Sequence, residues 1–84
     1  MSKKIWYVYI VECCDKTLYT GITTELERRL AEHNNSDEKG ARYTRMRRPV
    51  KLVYHETAKS RGEATKRETA IKRMKRSSKI RLYC

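Results

Sequence analysis

The sequence predicts a small α/β (α+β) domain, with a three-stranded antiparallel sheet flanked by helices in the order ββαβα, and residues 1–84 as one unit. Three observations carry this. Ile5–Val11 is β-branched or aromatic at almost every position, and a second such run follows after a polar break. Two helix-start signatures, Thr24 with Glu27 and Ser60 with Glu63, each precede a stretch of helical periodicity. Between them, after Pro49, lies a third strand-like run, Val50–His55. The chain's 84 residues suit one compact core, and a domain of this size buries only about 60% of its unfolded surface.

The first run is apolar on both faces, which marks a central strand. Cys14-Asp15-Lys16 breaks it, and Leu18–Ile22 resumes, so the pair forms a hairpin. Gly21, near its end, either breaks the strand or lets another group approach the backbone closely. Thr24 and Glu27 form a capping box, predicting a helix from about Glu25 to Asn34 and Asn35. Leu26, Leu30 and His33 define its inward face. Residues 35–49 read as a polar loop containing Gly40. Ser60 and Glu63 open a long helix running to about Arg76, striped by Ala64, Ile71 and Met74. Ile80–Cys84 forms a tail that packs back as a strand or turn.

Charge is distributed unevenly. Residues 1–38 sum to −2 and residues 39–84 to +13, giving the net +11. That asymmetry points to a polyanionic partner, with nucleic acid first because phosphate neutralisation releases counterions. A membrane surface fits less well, since no segment joins a broad apolar face to Trp or Phe. Cys13, Cys14 and Cys84 are odd in number and contain no CxxC pair, so zinc is not expected. No leader or apolar run of membrane length is present; reduced thiols in a cytoplasmic protein are the expectation.

Chemistry concentrates in few residues. Phe is absent, and three of the six tyrosines, Tyr7, Tyr9 and Tyr19, lie on the hairpin. A strand tyrosine usually packs, with its hydroxyl solvated. Arg28 points away from the leucine stripe, whereas Arg29 lies at the edge of the inward face. An arginine there either meets an anion or snorkels to solvent. On the last helix Arg67 and Glu68 fill the gap in the apolar stripe, and the pattern leaves open which turns inward. Glu68 either pairs with a neighbour, Arg67 or Lys72, or holds a metal ion. Tyrosine, arginine, histidine and one carboxylate together can make a phosphodiester-cleaving set, which needs positive charge, a base and a metal.

The ordered set "YVY" (Tyr7–Tyr9), "YTG" (Tyr19–Gly21), Arg29 and Glu68 resembles the GIY-YIG nuclease superfamily, in particular its small stand-alone bacterial members, over roughly residues 5–80. The resemblance implies Tyr9 and Tyr19 as the motif tyrosines, Arg29 rather than Arg28 as the catalytic arginine, and His33 as the polar residue one turn on. It implies Glu68 as the metal ligand, with Mg²⁺, or Mn²⁺ in its place, as cofactor. A tyrosine, directly or through water, then activates the nucleophile while the arginine stabilises phosphate charge. Three positions depart from the pattern. Tyr7 stands where many members have Gly, Thr20 sits at the middle of the second motif, and Ile80 occupies the place of an asparagine found in several relatives.

From Lys39 to Lys51 the chain carries six basic and no acidic residues. Lys39, Arg42, Arg45, Arg47, Arg48 and Lys51 surround Tyr43, a mixture suited to holding phosphates and stacking a base. Lys66 and Arg73 on the last helix extend the track. The reading is a Mg²⁺-dependent DNA endonuclease in repair or processing, with RNA as a further substrate class and no membrane partner. The alternative is a basic nucleic-acid-binding module with the nuclease fold and little turnover. A third reading is an accessory protein that takes its specificity from a partner protein.

Overall fold

The computed structural model describes residues 4–84. Its elements are β1 (Trp6–Glu12), β2 (Leu18–Thr23), α1 (Leu26–Asn35), α2 (Arg42–Arg45), β3 (Lys51–Ala58), α3 (Arg61–Lys72) and α4 (Arg76–Arg81). The three strands form one antiparallel sheet in the order β2-β1-β3, so β1 is central, as its two apolar faces predict. A bulge between Ile10 and Val11 shifts the β1–β3 register.

Alternation along β1 sends its side chains to two separate cores. Val8 and Ile10 meet Ala64 and Ile71 of α3, with Trp6, Leu18, Ile22, Tyr54 and Met74 around them. Tyr9 and Val11 face the other way, toward Cys13, Val50, Leu26 and Leu30, so α1 covers that side. Among the described residues no helix is long and apolar enough to cross a membrane.

The hairpin turn is tight. The Lys16 amide donates to the Cys13 carbonyl at 2.9 Å, and Lys16 adopts φ 70°. Asp15 Oδ1 accepts from the Thr17 amide at 3.1 Å and from its hydroxyl at 2.6 Å, giving the turn a side-chain brace.

Four local expectations change. The Thr24 capping box does not form. Buried Thr23, the last residue of β2, accepts from the Glu25 amide at 3.1 Å, and α1 starts one residue later, at Leu26, with no side-chain cap. The polar loop contains the helical turn α2, because Thr44 is pulled into the interior and its neighbours follow. The last long helix stops at Lys72 rather than Arg76: the Met74 amide closes onto the Ile71 carbonyl at 3.0 Å, keeping Met74 on the core as the chain turns. A short helix, α4, forms where none was expected and takes in Ile80 and Arg81, the first two residues of the tail; Leu82 and Tyr83 after it form a turn, one of the two expected alternatives. A helical turn brings Leu82 back against the α3 core, which an extended tail would overshoot. By contrast Ser60 caps α3 as expected, accepting from the Glu63 amide at 3.2 Å.

Candidate active site

Tyr9 is paired across the sheet with Gly21, and its ring lies over that glycine. A methyl group built at Gly21 would stand 2.4 Å from the Tyr9 hydroxyl oxygen and 2.6 Å from Cζ. Gly21 therefore serves the close approach of a side chain and does not end the strand. The central-strand phenol thereby reaches out over the edge strand β2.

Two groups meet the phenol there, and a third lies close enough to act on it through its charge. His33 Nε2 lies 2.8 Å from the Tyr9 oxygen, within hydrogen-bonding distance. The Arg29 guanidinium stands beside it, as the inward-edge position on α1 predicts. Glu68 is near enough to add negative charge to its surroundings. Burial pushes the Tyr9 hydroxyl up to about 12, although Arg29 opposes the shift. Burial and the nearby Arg29 push His33 down to about 4, so the imidazole is neutral at physiological pH.

Arg29 is itself positioned. Its Nη1 donates to Glu32 Oε1 at 3.0 Å and to the Lys39 carbonyl, so the guanidinium neither snorkels nor swings freely. Its neighbour Arg28 is on the solvent side, paired with Glu25 at 2.7 Å. Tyr19 stands edge-on to His33 with ring centroids 5.3 Å apart, and Tyr43 of α2 stacks on Tyr19 at 5.8 Å. Tyr7, where many relatives have Gly, meets His55 edge-on at 6.0 Å on the same sheet face as Tyr9.

The Arg67–Glu68 ambiguity resolves into a division. Arg67 turns to β3, where its Nε donates to both oxygens of Glu56 at 3.0 Å. Glu68 turns to the β2 side, where Lys72 Nζ lies 3.6 Å from its Oε2 and 6.0 Å from the Tyr19 ring centroid. Among the described residues no group of three His, Cys, Asp or Glu side chains converges. A single half-buried carboxylate fits Mg²⁺, which uses one or two carboxylates and fills its other positions with water and phosphate oxygens. Ile80, in the place of the relatives' asparagine, is a half-buried residue of α4.

The basic residues divide between scaffold and surface. Arg48 is a brace: it donates to the His33 carbonyl at 2.7 Å, the Ser36 carbonyl at 2.8 Å and Asp37 Oδ1 at 3.0 Å, closing the end of α1. Arg47 bonds Asp15 at 3.1 Å and the Tyr43 carbonyl at 2.9 Å while lying over the Tyr43 ring. Arg45 donates to the Asp37 carbonyl at 2.7 Å, and Lys51 is 3.5 Å from Glu12. Lys39, Arg42, Lys66 and Arg73 are exposed. At about 100° per residue, Lys66 and Arg73 lie well over a quarter-turn from Glu68 around α3 and face away from the site.

Sequence reasoning missed Thr44. It is fully buried, and its Oγ1 lies 2.8 Å from His33 Nδ1 and donates to the Ala41 carbonyl at 3.0 Å. A lone threonine inside a basic loop gives no signal of this. It also missed Asn34 as more than a helix end: its side chain bonds the Val50 amide at 2.7 Å and the Val50 carbonyl at 3.0 Å, tying α1 to the start of β3.

A glycine-backed buried tyrosine, a fixed arginine, a neutral histidine and one carboxylate on this sheet define a nuclease-like domain. Residues 5–81 match the pattern of the GIY-YIG catalytic domain, and the chain belongs to that family. It is 64% identical over 73 residues to UPF0213 protein DP2720 of Desulfotalea psychrophila, a match covering 87% of this chain and 66% of that protein. It is 56% identical over 82 residues to a UPF0213 protein of Syntrophus aciditrophicus, covering 98% and 91%. Two solution NMR structures are similar. UPF0213 protein BH0048 of Bacillus halodurans is 42% identical with TM-score 0.57, and EF2693 of E. faecalis is 49% identical with TM-score 0.62. Each alignment covers 93% of this chain and 81% of the other.

Proposed function

We propose that this protein is a divalent-metal-dependent endonuclease that hydrolyses phosphodiester bonds in DNA, acting in the cytoplasm in repair or processing. The observation that supports the reading best is the convergence of Tyr9, Arg29, His33 and Glu68 at the β2 edge. Arg29, held by Glu32 and the Lys39 carbonyl, offers fixed positive charge to a phosphate without reorganising. Tyr9, anchored to His33, offers its oxygen to an attacking water. Mg²⁺ or Mn²⁺ bound at Glu68 supplies Lewis-acid charge to a phosphate oxygen. The exposed Arg42 and Lys39 lie on the loop that covers this side and can hold flanking phosphates.

The Lys72–Glu68 pair favours a second reading, a nucleic-acid-binding module with little turnover. There the ammonium neutralises the carboxylate and no metal is needed. A panel of labelled single-stranded, duplex, flapped and junction DNAs, with RNA counterparts, separates the two. Cleavage with Mg²⁺ or Mn²⁺ that EDTA abolishes supports the nuclease. Tight binding without cleavage under every metal condition supports the module.

A further inference from the structure

We propose that Thr44 is a positioning residue of this centre: its hydroxyl oxygen holds His33 as the Nδ1–H tautomer, so that Nε2 accepts the hydrogen bond of the Tyr9 hydroxyl and leaves a phenolic lone pair facing the cleft. The tautomer follows from counting protons. Three polar groups, Tyr9, His33 and Thr44, form a buried chain whose links are each 2.8 Å. The Thr44 hydroxyl has one proton, and it points to the Ala41 carbonyl at 3.0 Å, as a threonine does within a helical turn. Its oxygen therefore accepts from Nδ1–H, and Nε2 accepts from Tyr9.

The opposite arrangement fails at its far end. If Thr44 donated to Nδ1, Nε2–H would donate to the Tyr9 oxygen. That oxygen already has the Arg29 guanidinium, a pure donor, beside it. The buried Tyr9 proton would then be left without its histidine acceptor, an arrangement that costs more than the loss of one weak bond to Ala41. The Ala41 carbonyl, which also accepts from the Arg45 amide at 3.0 Å, is satisfied either way. In the favoured order every proton has an acceptor.

The same turn carries Tyr43, which stacks on Tyr19. Through adjacent residues, α2 thus both roofs the second motif tyrosine and sets the direction of the hydrogen-bond chain that ends at the first. The catalytic consequence rests on the nuclease reading; the tautomer does not.

The test uses the full chain with ¹⁵N-labelled histidine and long-range ¹H–¹⁵N correlation near neutral pH. Wild-type His33 is expected to show a protonated Nδ1 and a bare Nε2. Thr44→Val, which keeps the shape and removes the acceptor, should lose that signature, and Thr44→Ser should keep it. In cleavage assays Thr44→Val should lower kcat about 10- to 100-fold, the range seen when the partner that orients a metal-ligating histidine is removed, and Thr44→Ser should restore most of it. KM should hardly move. A protonated Nε2 in the wild type overturns the proposal even if Thr44→Val does not fold. So does an unchanged signature in a folded Thr44→Val. A wild type without cleavage but with the Nδ1–H signature upholds the tautomer and counts against the nuclease reading alone.

Discussion

The Tyr9 ring occupies the space where any other residue at position 21 would place its Cβ. The second motif's glycine and the first motif's tyrosine are two halves of one packing relationship across the β1–β2 ladder. Gly21→Ala should displace the phenol from His33 and reduce cleavage by at least about 100-fold, with an overpacking cost of about 1–3 kcal/mol. The pair should be strongly non-additive. In a Tyr9→Ala background the stability cost of Gly21→Ala should largely vanish, as urea unfolding of the four cycle members would show. A cost that persists there places the strain elsewhere.

Arg28 and Arg29 are adjacent yet unequal. Arg29→Ala should lower kcat by about 10²–10³ with DNA affinity retained, since its charge acts on the transition state. Arg28→Ala removes an exposed pair with Glu25 and should change stability by no more than about 1 kcal/mol and cleavage hardly at all. Equal losses in the two single mutants would contradict the assignment.

Glu68→Gln should leave the fold intact, keep or tighten DNA binding without metal, and reduce cleavage to background at every Mn²⁺ concentration. Lys72→Ala frees the carboxylate and should lower the Mg²⁺ concentration needed for half-maximal cleavage. Wild-type rates in Glu68→Gln would remove the metal role from this residue.

His33 links stability to pH. Its folded value, about 4, lies below the ordinary 6.5, so the unfolded chain takes up the proton first. The stabilisation is complete above pH 6.5 and declines as pH falls towards 4, by up to about 3 kcal/mol. Wild type and His33→Gln should therefore differ in the slope of unfolding free energy across that interval. Parallel slopes in urea denaturation would mean that His33 titrates normally in the native state.

Thr20 is the one buried side-chain polar atom without a hydrogen-bond partner among the described residues. It sits opposite Ile10 on β2, on the α3 side of the sheet. Thr20→Val should raise stability by about 1 kcal/mol, or roughly 4–8 °C in Tm for a domain of this size. No increase would indicate that a water reaches the hydroxyl.

Much of this was legible because it depends on period and local chemistry. The double-sided apolar run specified β1 as central, and the Ser60 cap marked the start of α3 to the residue. Helical geometry alone separated Arg29 from Arg28. Where reading failed, burial of particular side chains decided the local structure. Thr23, buried at the end of β2, braces the Glu25 amide and α1 begins without the Thr24 box, and Leu82 packs on the α3 core in the turn that follows α4.

By itself the sequence determined the strand order, the helix faces and which polar side chains lie on them, all set by spacings of a few residues. Only the tertiary structure decided what each side chain meets. The basic loop looked uniform, yet Arg48 and Arg47 bind carbonyls and Asp15 within the fold, while Arg42 stays exposed. Thr44 reaches His33, 11 residues away, and His33 reaches Tyr9, 24 residues away. Proton direction and depressed basicity arise from burial and from partners brought in by packing, and no local pattern encodes either.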